Sequence, residues 1–338
     1  MVLKDSIMKS IPIFIIGAPR SGTTLLRLIL SAHSTISIPH EFTLVENVIS
    51  YFKEEVITQK RVLQFLSEQY KISHFLDWQI DRTLLTSKVT QSTYTQSEII
   101  DLIYRTYIEV HSPTKTTWGD KNINSLTFIP AIVSLFPEAR FIHIVRDGRD
   151  VAASLQSRRW KFYTLGGSTT FFIKHFRGAM LTWVSAINTI KKSLEVVPKS
   201  SQITIKYEDL IGETERSIMQ LCEFLKIDFE EGILHYYDKE EKKPTISKKR
   251  LKGTHENTTK PILADNKAKY LNFYSKYQIA CIEKIGRLQL QSNSYALESE
   301  LSSSKPIFLG LTKLSYHLKF AFYWSLYRLK QSFKRLIS

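Results

Sequence analysis

The sequence predicts an α/β fold with a doubly wound parallel sheet, a P-loop-like nucleotide-binding loop, helical insertions and a basic helical C-terminal tail. Three observations support this class. The chain has 338 residues, of which 43% are hydrophobic and 23% charged, as is typical of a globular protein with a sizeable core. Short apolar runs alternate with stretches of helical character. The first apolar run leads directly into a loop with two glycines five positions apart.

The first unit is predicted to be a strand, a loop and a helix. Residues 11–16 are apolar and rich in β-branched side chains, which indicates a buried strand. Residues 17–24 follow as a turn, and residues 25–32 predict a helix in which Arg27 is the one charge. This order is typical of the opening of a nucleotide-binding α/β unit.

Further units of the same kind follow along the chain. Residues 44–112 predict helices without recognisable chemistry. Residues 141–145 predict a second strand, 146–150 a charged turn and 151–157 the start of a helix, and residues 202–207 predict a third strand. Strands separated by helices favour a parallel sheet, and such sheets bind ligands beyond the carboxyl ends of their strands.

The first loop has the glycine spacing of a P-loop, with Thr23 at the position of its lysine. Glycines let backbone N–H groups approach a phosphate, and the N-terminus of a helix favours negative charge. Arg20 supplies the missing cation. A kinase or NTPase would also require an aspartate for Mg²⁺ at the end of a strand, and no such position is evident. The loop therefore predicts a phosphate cradle without metal; a tight turn with no ligand is the alternative.

A second candidate anion site follows the strand at 141–145. Arg146 ends that strand, and Ser154 lies one to two turns into the next helix, so both can hold a second phosphate. The alternative is a surface salt-bridge cluster, which contributes little stability. Its members would be Arg146, Asp147, Arg149 and Asp150.

Taken together, the two motifs resemble the sulfotransferases that use 3′-phosphoadenosine 5′-phosphosulfate. The resemblance covers roughly residues 11–290 and is greatest to the branch of tyrosylprotein sulfotransferases and related bacterial enzymes. Further segments that are similar to this branch are 118–121, 136–141, 206–210 and 259–262.

The resemblance implies a donor site that needs no metal. The 5′-phosphate and the sulfuryl group would be bound by Arg20, Ser21, Gly22, Thr23 and Thr24. Arg146 and Ser154 would bind the 3′-phosphate. Tyr207 would either contact the nucleotide or fill the core at the end of a strand, and Lys260 would reach the phosphosulfate.

The resemblance also implies the catalytic groups. Glu41 lies 21 residues after Arg20, the separation found in the tyrosylprotein branch, and would accept the proton of the acceptor hydroxyl. His40 is the rival base, whereas His143 is expected to be a packed histidine within a strand. Lys121, with Arg20 in the same catalytic set, would neutralise the charge that develops on the leaving oxygen. Plain surface positions for Glu41 and Lys121 are the alternative.

The sequence is compatible with several classes of acceptor for the sulfuryl group. In the tyrosylprotein enzymes an arginine two residues after the catalytic glutamate helps to recognise acidic peptides, and here that position is Thr43. A carbohydrate, a lipid, a small hydroxylated metabolite and a peptide are all compatible, through a hydroxyl or an amine. Two other classes compete with a sulfotransferase: a P-loop-like kinase or NTPase, and a non-catalytic membrane-associated anion-binding protein.

The resemblance and the charge distribution together divide the chain into an expected sulfotransferase domain, residues 1–300, and a basic tail, residues 301–338. The net charge is +15, and the tail contributes seven basic residues and no acidic one. Apolar side chains at helical spacing over residues 314–337 predict an amphipathic helix that binds an anionic membrane. Docking of this helix on the protein's own body or on a second copy is the alternative.

The expected location is cytoplasmic, either free or peripheral on the inner face of a membrane. The sequence shows no signal peptide and no apolar stretch long enough to span a bilayer. Two cysteines suit a reducing compartment. Nucleic acid is not an expected partner, because no recognition motif accompanies the basic charge.

Overall fold

The structure, a computed structural model, describes residues 11–157, 175–237 and 261–298. The elements of the first 111 residues are, in chain order, β1 (Ile13–Ile16), α1 (Thr23–Ser31), β2 (Ile36–Ser37), α2 (Leu44–Tyr51), β3 (Ile57–Thr58), α3 (Gln59–Gln69), α4 (Ser73–Leu76), α5 (Arg82–Ser87), β4 (Thr93–Tyr94) and α6 (Gln96–His111).

The remaining described elements include three strands, each followed by a helix, and the helices near residue 298. They are β5 (Thr117–Lys121), α7 (Ile129–Leu135), β6 (Arg140–Val145), α8 (Gly148–Ser157), α9 (Phe176–Ser193), β7 (Gln202–Lys206), α10 (Tyr207–Gly212), α11 (Thr214–Leu225), α12 (Tyr270–Phe273) and α13 (Lys276–Ser292).

The described residues group into two compact units. The first contains residues 11–145, 189–237 and 261–265, and the second contains residues 146–157, 175–188 and 266–298. Lys260 and the tail at 301–338 lie outside the described residues. None of the described helices is both long enough and apolar enough to cross a membrane.

The first unit contains a five-stranded parallel sheet in the order β2-β5-β1-β6-β7. β1 lies at its centre, where Ile13 is in register with Gly119 of β5 and Arg140 of β6. Because the strands are parallel, their carboxyl ends lie along one edge of the sheet. The loop after β1 and the Lys121 end of β5 are therefore neighbours. A separate antiparallel pair, β3 and β4, lies within the helical insertion.

Helices cover both faces of the sheet, which confirms the predicted doubly wound class. Ile13 and Ile15 belong to a buried cluster with residues of α1, α10 and α11. Phe14 and Ile16 belong to the opposite cluster, which contains residues of α2, α3, α6 and α7. A central strand buried on both faces needs apolar side chains at every position, and this explains the unbroken run in β1.

Several element boundaries differ from the sequence prediction by one to three residues, and two of them concern the loops that follow β1 and β6. α1 begins at Thr23, two residues early, because Gly22 takes a left-handed conformation with φ 97° and serves as the N-cap. α8 begins at Gly148, three residues early, because the Asp147 carboxylate accepts the Arg149 N–H at 2.8 Å, as an N-capping side chain does. Arg149 thus lies in a helix and not in a turn.

Candidate active site

The loop between β1 and α1 has the shape of an anion cradle. Arg20 has φ 72° and Gly22 has φ 97°, so two positions of this loop are left-handed. Left-handed residues curl a backbone so that its N–H groups turn toward one ligand. For a non-glycine residue such as Arg20 this conformation costs free energy and is found mainly at functional sites.

Both glycines of the loop are required by close approach. A Cβ atom on Gly17 would lie 2.7 Å from the carbonyl oxygen of Ile144 in the neighbouring strand. A Cβ atom on Gly22 would lie 2.4 Å from Cδ2 of Tyr207. Tyr207 is buried at the start of α10, so its ring packs on the loop as well as in the core. Both readings of Tyr207 from the sequence are therefore compatible with its position.

Ser21 carries a buried hydroxyl that fits an anionic ligand. Its side chain is 0% exposed, and its Oγ has no hydrogen-bond partner among the described residues. A buried hydroxyl without a partner costs about 1–3 kcal/mol, and a phosphate or sulfate oxygen would remove this cost. α1 begins two residues later with no acidic side chain in its first turn, so its positive end is available to the same ligand.

Glu41 and Lys121, 80 residues apart in sequence, meet in the structure. The Lys121 ammonium contacts the Glu41 carboxylate, and the two side chains are 6% and 32% exposed. The lysine is thus enclosed at the end of β5, while the carboxylate reaches the surface. The structure brings together two of the three residues predicted as catalytic, and Lys121 is not a plain surface lysine.

The backbone on either side of Glu41 is fixed by three side chains from distant parts of the chain. Each donates to a carbonyl in the segment 38–42, and these carbonyls are two residues apart. The bonds are Arg27 Nη1 to Ile38 (3.1 Å), Trp78 Nε1 to His40 (2.8 Å) and Asn122 Nδ2 to Phe42 (3.3 Å). Glu41 is consequently held on a rigid segment, as a proton acceptor must be.

The second unit holds Arg146, whose side chain is buried. Its Nη2 donates to the carbonyl of Asn266 at 3.0 Å and lies 3.6 Å from Asp150 Oδ2. The other carboxylate oxygen of Asp150 accepts the N–H of Tyr270 at 3.0 Å. Burial raises the pKa of Asp150, although the charge of Arg146 acts in the opposite direction. Ser154 is half-buried on α8, two turns beyond Arg146.

Arg149 has a structural position in the same unit. Its guanidinium binds Asp147 through two nitrogens, donates to Glu283 at 2.5 Å and lies 4.4 Å from the ring centroid of Tyr270. Burial lowers the pKa of Arg149, but the hydrogen bonds and charge of Asp147 outweigh it and leave the pKa raised. The salt-bridge cluster of the alternative is present, but it is not at the surface, because all four of its members are buried.

His143 lies in the interior of the sheet, as expected for a packed histidine. It sits on β6 with its Nδ1 3.4 Å from Thr204 Oγ1. Burial lowers the pKa of His143 to about 4, so the imidazole is neutral at physiological pH. His40 is half-buried, and its carbonyl accepts the Trp78 indole N–H.

Sequence reasoning missed the buried polar residues around the Glu41–Lys121 pair. They are Arg27, Glu46, Tyr104, Asp120 and Asn122. The one signal in the sequence that could have indicated them is residue type, because charged residues occur there within segments whose other residues predict a buried core. Nothing in the sequence placed them together.

The chain matches one family of known proteins. The model of the sulfotransferase family matches residues 12–231, well over half of the chain. Protein-tyrosine sulfotransferase 1 of Danio rerio is 25% identical over 260 residues, which are 77% of this chain and 65% of that protein. The Drosophila melanogaster protein-tyrosine sulfotransferase is 23% identical over 259 residues, 77% of this chain and 46% of that protein. The chain thus spans about half to two thirds of these relatives.

Solved structures show the same fold. The sulfotransferase domain of the curacin biosynthetic pathway matches with a TM-score of 0.57 and 20% identity, covering 85% of this chain and 99% of that domain. The sulfotransferase domain of the Synechococcus PCC 7002 olefin synthase matches with a TM-score of 0.55 and 18% identity, covering 85% and 97%. On the family match and this fold, the chain belongs to the sulfotransferase family.

Proposed function

We propose that this protein transfers a sulfuryl group from 3′-phosphoadenosine 5′-phosphosulfate to a hydroxyl or amine of an acceptor. The observation that carries the proposal is the loop at 20–24, in which the buried Ser21 hydroxyl has no hydrogen-bond partner among the residues that the structure describes, and the positive end of α1 follows. Together with the family, this loop supports an anionic sulfuryl donor.

In the proposed complex the loop residues Arg20, Ser21, Gly22, Thr23 and Thr24 bind the 5′-phosphosulfate. Arg146 and Ser154 bind the 3′-phosphate, and Lys260 reaches the phosphosulfate from a segment outside the described residues. The buried position of Arg146 supports its role, because a guanidinium already removed from water binds an anion more strongly. Tyr207, packed on the loop, would limit where the nucleotide lies.

In the proposed reaction Glu41 accepts the proton of the acceptor hydroxyl while the acceptor oxygen attacks sulfur. The new bond is oxygen to sulfur; the bond that breaks joins sulfur to the bridging oxygen of the 5′-phosphate, which leaves as 3′-phosphoadenosine 5′-phosphate. The Lys121 ammonium and the Arg20 guanidinium neutralise the charge that develops on that oxygen.

The acceptor class is proposed from the position two residues after Glu41. Thr43 Oγ1 donates to Asn47 Oδ1 at 3.3 Å, and Asn47 Nδ2 donates to Gln69 Oε1 at 2.8 Å. This network is neutral and supplies no cation for an acidic peptide. Although the relatives named above are protein-tyrosine sulfotransferases, a carbohydrate, a lipid or a small metabolite therefore fits this position as well as a peptide.

The experiment that tests the proposed function is a donor-binding titration. Calorimetry with 3′-phosphoadenosine 5′-phosphate and with ATP, both without Mg²⁺, should give saturable binding of the first and far weaker binding of the second. Tight binding of ATP and not of the bisphosphate would favour a kinase or NTPase. A screen of acceptors with labelled donor then tests for transfer, and binding without any transfer would favour the non-catalytic alternative.

Location and domain organisation are further proposals. The tail at 301–338 is proposed to be separate from the sulfotransferase domain at 1–300 and to bring the enzyme to the anionic cytoplasmic face of a membrane. What supports this is its seven basic residues, its lack of acidic residues and the helical spacing of its apolar residues.

A further inference from the structure

A buried carboxyl group lies next to the Glu41–Lys121 pair. Asp120 precedes Lys121 in β5 and is 3% exposed. Successive residues of a strand point to opposite faces, so Asp120 shares a face with Trp118 and not with Lys121. Trp118 stacks on Tyr104 of α6, with ring centroids 4.3 Å apart. Asp120 therefore points into the interior beneath α2 and α6.

The polar groups near Asp120 come from α2, from α6, from the segment before α2 and from β5 itself. They are Glu46 from α2, Tyr104 from α6, Glu41 from the segment before α2, and the backbone N–H of Lys121. The Tyr104 hydroxyl lies near Asp120, but neither this hydroxyl nor Asp120 Oδ2 completes a hydrogen bond of standard geometry within the described residues.

Two carboxyl groups buried together do not both ionise at neutral pH. Burial, and then the charge of Glu46, raise the pKa of Asp120 well above its ordinary range. Glu46 Oε1 already accepts a hydrogen bond from Asn122 Nδ2 at 3.0 Å, whereas Asp120 Oδ2 accepts none within the described residues. The proton of the pair is therefore assigned to Asp120.

The same residues join the two segments that carry the catalytic pair. Lys121 is the last residue of β5, and α2 begins three residues after Glu41. Asn122 donates both to the carbonyl of Phe42 and to Glu46, so one connection between these segments is already in place. Asp120 precedes Lys121 as Asn122 follows it, so a hydrogen bond from Asp120 to Glu46 would be a second connection between these segments.

We propose that Asp120 is a positioning residue that stays protonated and donates its carboxyl O–H to Glu46, so that β5 and α2 hold Lys121 against Glu41. This inference rests on the proposed function, since it concerns the groups that carry that reaction. The proton on Asp120 takes no part in the transfer. Ionisation of Asp120 would place a second negative charge beside Glu46 and separate the two segments.

Infrared difference spectroscopy tests the proton directly, with neither donor nor acceptor present. The full-length protein at neutral pH should show the C=O band of a protonated carboxyl group that Asp120→Asn removes. The band should vanish as pH rises, and in Glu46→Gln at a lower pH, because the repelling charge is gone. Glu68→Gln, an exposed carboxylate on α3, is the matched control and should leave it unchanged. No difference between wild type and Asp120→Asn would overturn the inference.

Turnover tests the positioning. The wild type should lose kcat as pH rises through the ionisation of Asp120. Asp120→Asn keeps the shape of the side chain and a hydrogen-bond donor at every pH. It should retain most of the neutral-pH kcat and should not lose kcat as pH rises. Asp120→Ala should have a kcat reduced about tenfold or more at all pH values with an unchanged KM for the donor. The inference would be overturned if Asp120→Asn lost kcat with rising pH as the wild type does, or if its kcat were as low as that of Asp120→Ala.

Failure of this inference is distinguishable from failure of the proposed function. If the wild type transfers no sulfuryl group, the proposed function is wrong, and the infrared band still decides whether Asp120 holds a proton. The pH dependence of unfolding gives a second readout. Because the pKa of Asp120 is raised on folding, its contribution to stability is present at acid pH and is lost as pH rises. The stability of the wild type relative to Asp120→Asn should therefore fall with pH; a constant difference would contradict the assignment.

Discussion

At the scale of single residues, the Glu41–Lys121 contact is the part of the site to which we assign the proton transfer of the proposed reaction. Glu41→Gln keeps the size of the side chain but removes its ability to accept a proton. We expect unchanged affinity for 3′-phosphoadenosine 5′-phosphate and a kcat lower by about 10²–10⁴-fold. Steady-state kinetics with calorimetry on the same preparation would measure both. His40→Ala is the control; if it abolishes turnover while Glu41→Gln does not, His40 is the base.

A second prediction for a single residue concerns Arg146 and the binding of the 3′-phosphate. Its buried guanidinium already donates to Asn266 and lies near Asp150, so the side chain is oriented before a ligand arrives. A charge-assisted hydrogen bond contributes about 1.5–3 kcal/mol, so Arg146→Ala should weaken binding of 3′-phosphoadenosine 5′-phosphate about ten- to a hundredfold.

The binding of AMP, which lacks the 3′-phosphate, should change little in Arg146→Ala. Arg216→Ala, an exposed arginine of α11, is the matched control and should bind both nucleotides as the wild type does. An equal loss of affinity for AMP and for 3′-phosphoadenosine 5′-phosphate would show that Arg146 does not bind the 3′-phosphate.

At the scale of elements, the β1–α1 loop depends on Gly22. Alanine there would adopt a left-handed conformation at a cost of about 1–3 kcal/mol, and its Cβ would also collide with the Tyr207 ring. Gly22→Ala should unfold at lower denaturant and lose binding of the bisphosphate nucleotide. Gly22→Asn separates the two causes, because asparagine tolerates left-handed backbone but still meets Tyr207. A fully stable Gly22→Asn would show that the close approach of Tyr207 is unimportant.

His143 in the central sheet should make the free energy of unfolding depend on pH. The folded pKa of about 4 lies below the ordinary value of 6.5, so the unfolded chain binds the proton more readily. The stabilising contribution of the neutral imidazole is therefore present above pH 6.5 and is lost as pH falls toward 4, by about 3 kcal/mol. Urea unfolding of the wild type and His143→Gln at pH 7 and pH 4.5 should show a smaller pH effect in the variant. Parallel curves would mean that His143 is not buried in its neutral form.

At the scale of the whole molecule, the basic tail is predicted to bind membranes. Each basic residue near an anionic surface contributes about 1 kcal/mol, and the tail has seven. Full-length protein should sediment with anionic vesicles at low salt and much less at high salt or with neutral vesicles, whereas protein truncated after Ser304 should stay in the supernatant. Equal sedimentation of both forms would place the attraction elsewhere in the chain, and no sedimentation of either would reject it.

The sequence by itself determined the elements whose signal is local. The apolar run of β1 predicts a strand because a central strand is buried on both faces, and the glycines predict a loop because backbone must come close to Ile144 and Tyr207. The spacing from Arg20 to Glu41 indicated the candidate base through the family resemblance. These features lie within short stretches of chain, and so they can be read without a structure.

Only the tertiary structure decided which distant side chains meet. β5 contains Gly119, Asp120 and Lys121, a composition that does not predict a strand, and it forms because β1 and β2 pair with it on either side. That pairing brings Lys121 to Glu41 and buries Asp120 beside α2 and α6. The physical reason is that the free energy of a buried charge depends on the partners that folding brings to it, and those partners come from segments up to 80 residues away.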